Sequence, residues 1–161
     1  MKSTTFMLAA AALLCGPTSS WSQDKPTVRS ICQVVGATTV EPVGDRAGQV
    51  ITTHTYSCKN DGYLGDSIMT GSNIREVDNG KITALSESAV IRRPGALAVY
   101  QPTDQSEQLQ MSDGKIVGCK GVSKGVYKFA SGGFSSLSSK AFTSSYHCIA
   151  GGQLEVMTTL D

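Results

Sequence analysis

The stretch VITTHTYSC, residues 50–58, decides how this chain folds. It is dominated by β-branched residues with one tyrosine, the side chains that suit a pleated strand. A period of two places Val50, Thr52, His54, Tyr56 and Cys58 on one face, and Thr53, Thr55 and Ser57 on the other. An amphipathic helix needs apolar residues recurring at 3.6-residue spacing. No long run of that kind follows the N-terminal segment.

Working outward, segments of the same character recur at 28–35, 67–77, 81–91, 97–101, 108–111, 115–119, 126–130, 141–149 and 154–159. Turn chemistry lies between many of them. Asp61-Gly62, Asn79-Gly80 and Asp113-Gly114 are pairs that tolerate positive φ and close tight hairpins. Pro94-Gly95, Ser131-Gly132-Gly133 and Gly151-Gly152 punctuate the rest. About eight to ten short strands joined by short turns predict an all-β fold, and its exposed edges require closure into a barrel or folding into a sandwich. The connections read as successive hairpins rather than long crossovers. The expectation is therefore a single antiparallel, mostly up-and-down β-barrel of about eight strands.

The N-terminus carries Lys2 and then the apolar run Phe6 to Leu14, the layout of a secretory signal peptide. The run is too short to span a bilayer, which takes about 20 apolar residues. Small residues at Ser20 and Ser22 predict cleavage between Ser22 and Gln23, so that 1–22 is the signal and 23–161 the barrel domain. A lipoprotein anchored through Cys15 is the rival, and it ranks second because Leu14 stands where a small residue is wanted.

Without residues 1–22 the chain has 139 residues and loses one of its 14 basic side chains, leaving 13 against 13 acidic ones. That balance speaks against nucleic-acid binding, which calls for a basic excess or stripe. No second long apolar segment exists, so no membrane span is expected. The length suffices to bury roughly two thirds of the unfolded surface in one core.

Of the five cysteines, Cys15 falls in the leader, and an even set remains: Cys32, Cys58, Cys119 and Cys148. An exported chain with four thiols reads as disulfide-stapled, and secreted or periplasmic. Antiparallel pairing of consecutive strands makes 32–58 and 119–148 the most economical connectivity, although four cysteines permit three pairings. Loops of this length gain roughly 3 kcal/mol per bond in the chain-entropy model. There is no C-x-x-C, and hence no thioredoxin-like motif.

Catalytic and metal constellations are weak. His54 and His147 each lie near a tyrosine and a cysteine, but oxidised cysteines cannot ligate and no paired-ligand spacing is present. G-x-S-x-G is absent, and the glycines match neither a P-loop nor a dinucleotide fingerprint. Acid–base chemistry in a barrel needs a buried carboxylate, for which Glu76, Glu87 and Glu155 are the candidates. Tyr56, Tyr100, Tyr127, Phe129, Phe142 and Tyr146 fall on expected strands and could line a cavity, since an eight-stranded barrel either fills with side chains or holds one small ligand. The candidate ligand-binding set is His54, Tyr56, Tyr127, Tyr146, Glu76 and Glu87. No catalytic residue, cofactor or metal is assigned.

The segment Gly125-Val126-Tyr127-Lys128-Phe129-Ala130-Ser131-Gly132-Gly133 runs into residues 136–142, and it joins Gly62-Tyr63-Leu64-Gly65-Asp66 and Met69-Thr70-Gly71 in a glycine-rich pattern. This pattern, across residues 48–158, resembles the allene oxide cyclase and dirigent group of small eight-stranded, calycin-like barrels. The resemblance implies a barrel and, in some members, isomerisation or steering of a hydrophobic molecule inside it. None of the cyclase's catalytic positions matches a residue here. The leading expectation is a non-catalytic barrel binding a small apolar molecule. Its rivals are an isomerase acting on a hydrophobic substrate, and an envelope or extracellular interaction protein with a filled barrel.

Overall fold

Burial along the strands follows the two-residue period. On one strand Ser67, Met69, Gly71 and Asn73 are buried while Ile68, Thr70, Ser72 and Ile74 are exposed. The structure, a computed structural model, describes residues 25–44, 47–113 and 115–161. Eight strands follow in order: β1 (Thr27–Pro42), β2 (Gln49–Asn60), β3 (Ser67–Asp78), β4 (Lys81–Arg93), β5 (Ala96–Ser112), β6 (Lys115–Gly132), β7 (Ala141–Ile149) and β8 (Gln153–Leu160). Each pairs antiparallel with the next, and β8 returns to β1, so the sheet is a closed up-and-down barrel. The expected leader and Cys15 lie outside the described residues. Among those residues no helix is long and apolar enough to cross a membrane.

The expected segments 97–101 and 108–111 are one strand, β5, and 115–119 and 126–130 are likewise one strand, β6. The reason is that breakers within them act as irregularities instead of turns. Pro102 sits at a bulge where the β5–β6 register shifts, a position that tolerates a missing N–H. The turn at Asn79-Gly80 has positive φ at both residues (48° and 84°), as a tight hairpin between β3 and β4 requires.

The two ends of the barrel differ. At the end holding the start of β1 and the finish of β8, the interior is solid. Phe142 and Tyr100 stack with ring centroids 4.4 Å apart, and Tyr127 lies 5.3 Å from Phe142. Leu64 and Leu137, carried on the 3₁₀ turns Gly62–Leu64 and Ser135–Leu137, are buried there with Phe134. Arg93 lies 4.5 Å over the Phe134 ring and donates to the Gly65 carbonyl at 2.9 Å, so its charge is held by a π face and a dipole. Buried polar groups at this end pair among themselves: Ser30 with Asn60 at 2.7 Å, Asn60 with Ser67 at 2.9 Å, and Ser144 with Thr158 at 2.7 Å.

At the other end the wall is uneven. β8 pairs with β1 only as far as Leu154 opposite Cys32, and the β6–β7 pairing ends at Lys120 opposite His147. β1 runs on to Pro42, and β6 extends back to Lys115, beyond the short β7–β8 hairpin. A notch is left above that hairpin. The two disulfides, Cys32–Cys58 and Cys119–Cys148, sit at its two posts, and each ties neighbouring strands where the wall stops. This is the more economical of the pairings allowed by the sequence, and two intramolecular bonds suit an oxidising compartment.

Candidate functional site

Behind the notch lies a cavity of about 230 Å³ whose walls are mainly apolar. Gln33, Val34, Cys148 and Gly152 line it and are exposed, which marks its mouth. Met69, Leu154 and Val156, with Cys32, Cys119 and Cys148, line much of the apolar wall. Tyr100 closes the inner end, and its other neighbour is the packed aromatic cluster.

Two glycines make room for the cavity's tyrosines. Tyr56 is directly across from Gly71, and Tyr146 directly across from Gly121. A Cβ on Gly71 would stand 2.6 Å from the Tyr56 ring, and one on Gly121 would stand 2.3 Å from the Tyr146 ring. Each ring therefore lies over bare backbone of the neighbouring strand, an aromatic–glycine pairing known to stabilise sheets.

The polar groups gather as two tyrosine–carboxylate pairs. The Tyr56 hydroxyl donates to Glu87 Oε1 at 2.7 Å, and Gln105 Nε2 donates to Glu87 Oε2 at 2.6 Å. The Tyr146 hydroxyl donates to Glu107 Oε2 at 3.3 Å, and Arg75 Nη1 pairs with the same oxygen at 2.7 Å. Asn73 lies between Arg75 and His54. Its oxygen faces the guanidinium (3.0 Å) and its amide nitrogen the imidazole (3.1 Å), which sets acceptor against donor on the Arg75 side.

Burial first, and then the Glu87 charge, push the Tyr56 phenol far above its ordinary range. Burial and Glu107 act in the same way on Tyr146. Burial followed by Glu87 raises Tyr100, against the hydroxyls of Ser123 and Ser144. All three phenols thus stay protonated and serve as hydrogen-bond donors. Burial, reinforced by Arg75, lowers His54 despite the opposing pull of Glu87. Its ring is neutral at pH 7 and can both donate and accept. Burial raises Glu107, and Arg75 opposes that rise.

Of the residues singled out in the sequence, His54, Tyr56, Glu87 and Tyr146 are brought together around the cavity. Tyr127 and Glu76 do not line it. Tyr127 is fully buried in the packed end, its hydroxyl 3.0 Å from that of Tyr63. Glu76 instead takes a hydrogen bond from Gln49. Glu155 is on the outer surface with Arg29 and His147, the latter at 3.3 Å. Arg75, Asn73, Gln105 and Glu107 belong to the site and were missed. Asn73 and Arg75 share strand parity with Met69 and Gly71, a readable signal. Gln105 and Glu107 follow a bulge, which hides their facing from a simple alternation.

The wall beside Glu87 is parted. β4 and β5 pair at Ile82 opposite Glu107 and again at Ala89 opposite Tyr100, seven residues on along each strand, with no pairing between. A hollow of about 110 Å³ lies in that gap, and Glu87 and Gln105 border both it and the main cavity. Among the described residues no three His, Cys, Asp or Glu side chains gather so as to hold a metal ion. No protein-family model matches the chain, and neither a curated protein nor a solved structure matches it.

Proposed function

We propose that this barrel is a secreted or periplasmic protein that binds a small, mainly apolar molecule through the notch above the β7–β8 hairpin, without transforming it. The observation carrying the proposal is the cavity of about 230 Å³, open at one end of a barrel whose other end is solid. A dry cavity of about 150 Å³ already admits one benzene ring, so this volume suits a ligand somewhat larger than that. It is smaller than the 300–1,000 Å³ or so of most drug-sized sites, which favours a compact ligand. His54, Asn73, Arg75, Glu87, Gln105 and Glu107 form hydrogen-bonded polar groups beside walls that are otherwise mainly apolar, the arrangement that orients one end of a ligand while its body meets apolar wall.

The test is native mass spectrometry of the protein purified gently from its own extracellular or periplasmic fraction. An extra mass that disappears on denaturation supports the reading and names the ligand's class. A bare mass, repeated across preparations, shifts the weight to a protein partner.

A second reading, an isomerase of a hydrophobic substrate, is favoured by the two tyrosine–carboxylate pairs inside the cavity. A carboxylate beside a phenol that stays protonated supplies a base and a hydrogen-bond donor side by side. Turnover of the captured ligand by the native protein, lost in Glu87→Gln while binding persists, would establish it.

A further inference from the structure

We infer that the cavity selects a ligand carrying a positive charge, an organic amine with a compact apolar body, and that Glu87 receives its ammonium group. This rests on the ligand-binding reading and names the chemistry of the same site.

The argument is one of charge balance inside low-dielectric walls. Among the described residues Arg75 is the only Lys or Arg lining the cavity, and it is already engaged: Nη1 meets Glu107 at 2.7 Å, and the rest of the guanidinium faces Asn73. Both members of that pair are largely buried, with side chains 16% and 9% exposed, so the two charges cancel locally. Among the described residues Glu87 has no such partner. Its two oxygens accept from a phenol and an amide, both neutral. With His54 neutral, one carboxylate charge is left over.

That surplus charge reaches the whole cavity. Glu87 acts on His54, Tyr56, Tyr100, Glu107 and Tyr146, in each case favouring the protonated form. A protonated amine is the ligand group that such a field stabilises, and an anion is the group it rejects. The tyrosines add to this. Tyr56, Tyr100 and Tyr146 all line the same space, and aromatic faces attract cations that have left water.

Three probes with one apolar body separate the possibilities: 3-phenylpropylamine, 3-phenyl-1-propanol and 3-phenylpropionate, titrated into the disulfide-bonded protein by calorimetry. The amine is expected to bind at least tenfold more tightly than the alcohol, and the carboxylate weakest. Glu87→Gln should bring amine and alcohol within about threefold of each other, chiefly through weaker binding of the amine. The ranking of the three probes on the native protein stands even if that variant fails to fold. Equal binding of amine and alcohol, or tighter binding of the carboxylate, overturns the charge inference and leaves the pocket reading intact. Absence of binding by all three overturns both.

Discussion

The solid end of the barrel and the hollow end are made by the same eight strands and use the same cross-strand device, yet one is core and the other a site. In each, an aromatic side chain faces a glycine on the neighbouring strand: Phe142 opposite Gly125 at the solid end, Tyr56 opposite Gly71 and Tyr146 opposite Gly121 at the hollow one. What differs is the company. Phe142 meets Tyr100 and Tyr127, whereas Tyr56 and Tyr146 meet carboxylates. Rings that meet rings exclude water and fill space. Rings whose hydroxyls are tied to charged groups are held back against the wall, and the centre stays open. The difference teaches that hollowness in a small barrel comes from where charges are placed on the inner face, together with short strands that leave a way in.

The sharpest way to break this comparison is to truncate a ring at the solid end. Phe142 is wholly buried, and Phe142→Ala should cost about 3–5 kcal/mol, read from the urea midpoint. Leu154→Ala, a half-buried wall residue of the cavity, should cost less than half as much. Equal losses would mean that the hollow end is packed as tightly as the other.

The disulfides come next. They join residues 26 and 29 positions apart, and removing either as a Cys→Ser pair should lower stability by about 3.5 kcal/mol in the chain-entropy model. Because both stand at the notch, hydrogen exchange should rise mainly in β1 and β7 near the mouth. Uniform acceleration across the solid end would count against their role as posts.

Gly71→Ala tests the device the two ends share. The new methyl would fall 2.6 Å from the Tyr56 ring and 2.7 Å from Ala89, and overpacking of this kind costs about 1–3 kcal/mol. Tyr56 should be displaced toward the cavity centre, with ligand affinity reduced. Unchanged stability and affinity would show that the ring need not lie over bare backbone.

The smallest effect is a pH slope confined to the hollow end. The folded pKa of His54 is depressed below its ordinary 6.5, so the unfolded chain binds more protons there and stability falls as pH drops from 6.5 through the folded value. Glu107, raised from 4.5, acts oppositely: its contribution grows as pH falls through the raised value and is complete below 4.5. His54→Gln should flatten the decline between pH 7 and 5 seen in urea titrations. A slope identical to that of the native protein would remove His54 from the account.

Much of this was legible along the chain. The alternation in residues 50–58 placed His54, Tyr56 and Cys58 on one face, and they do turn inward together. Hairpin logic paired the cysteines correctly because opposition across an antiparallel pair depends only on register and loop centre. Pro102, Gly121 and Gly125 lie in the gaps between the segments expected at 97–101 and 108–111, and at 115–119 and 126–130, yet β5 and β6 run through them. Proline and glycine look alike as breakers whether they end a strand, bulge it or receive a ring. Glu76 and Arg75 show the limit most plainly: adjacent charged residues, of which Arg75 lines the cavity and Glu76 does not.

By itself, then, the sequence determined an all-β chain, closed by hairpins and stapled twice, because alternation, turn residues and cysteine parity act over a few residues at a time. Only the tertiary structure decided that the barrel is half solid and half hollow, that Glu87 has two neutral partners while Glu107 has a cationic one, and that β4 and β5 part beside it. Those outcomes depend on where bulges shift the register and where neighbouring strands stop. They are properties of several strands at once, and no single stretch of residues carries them.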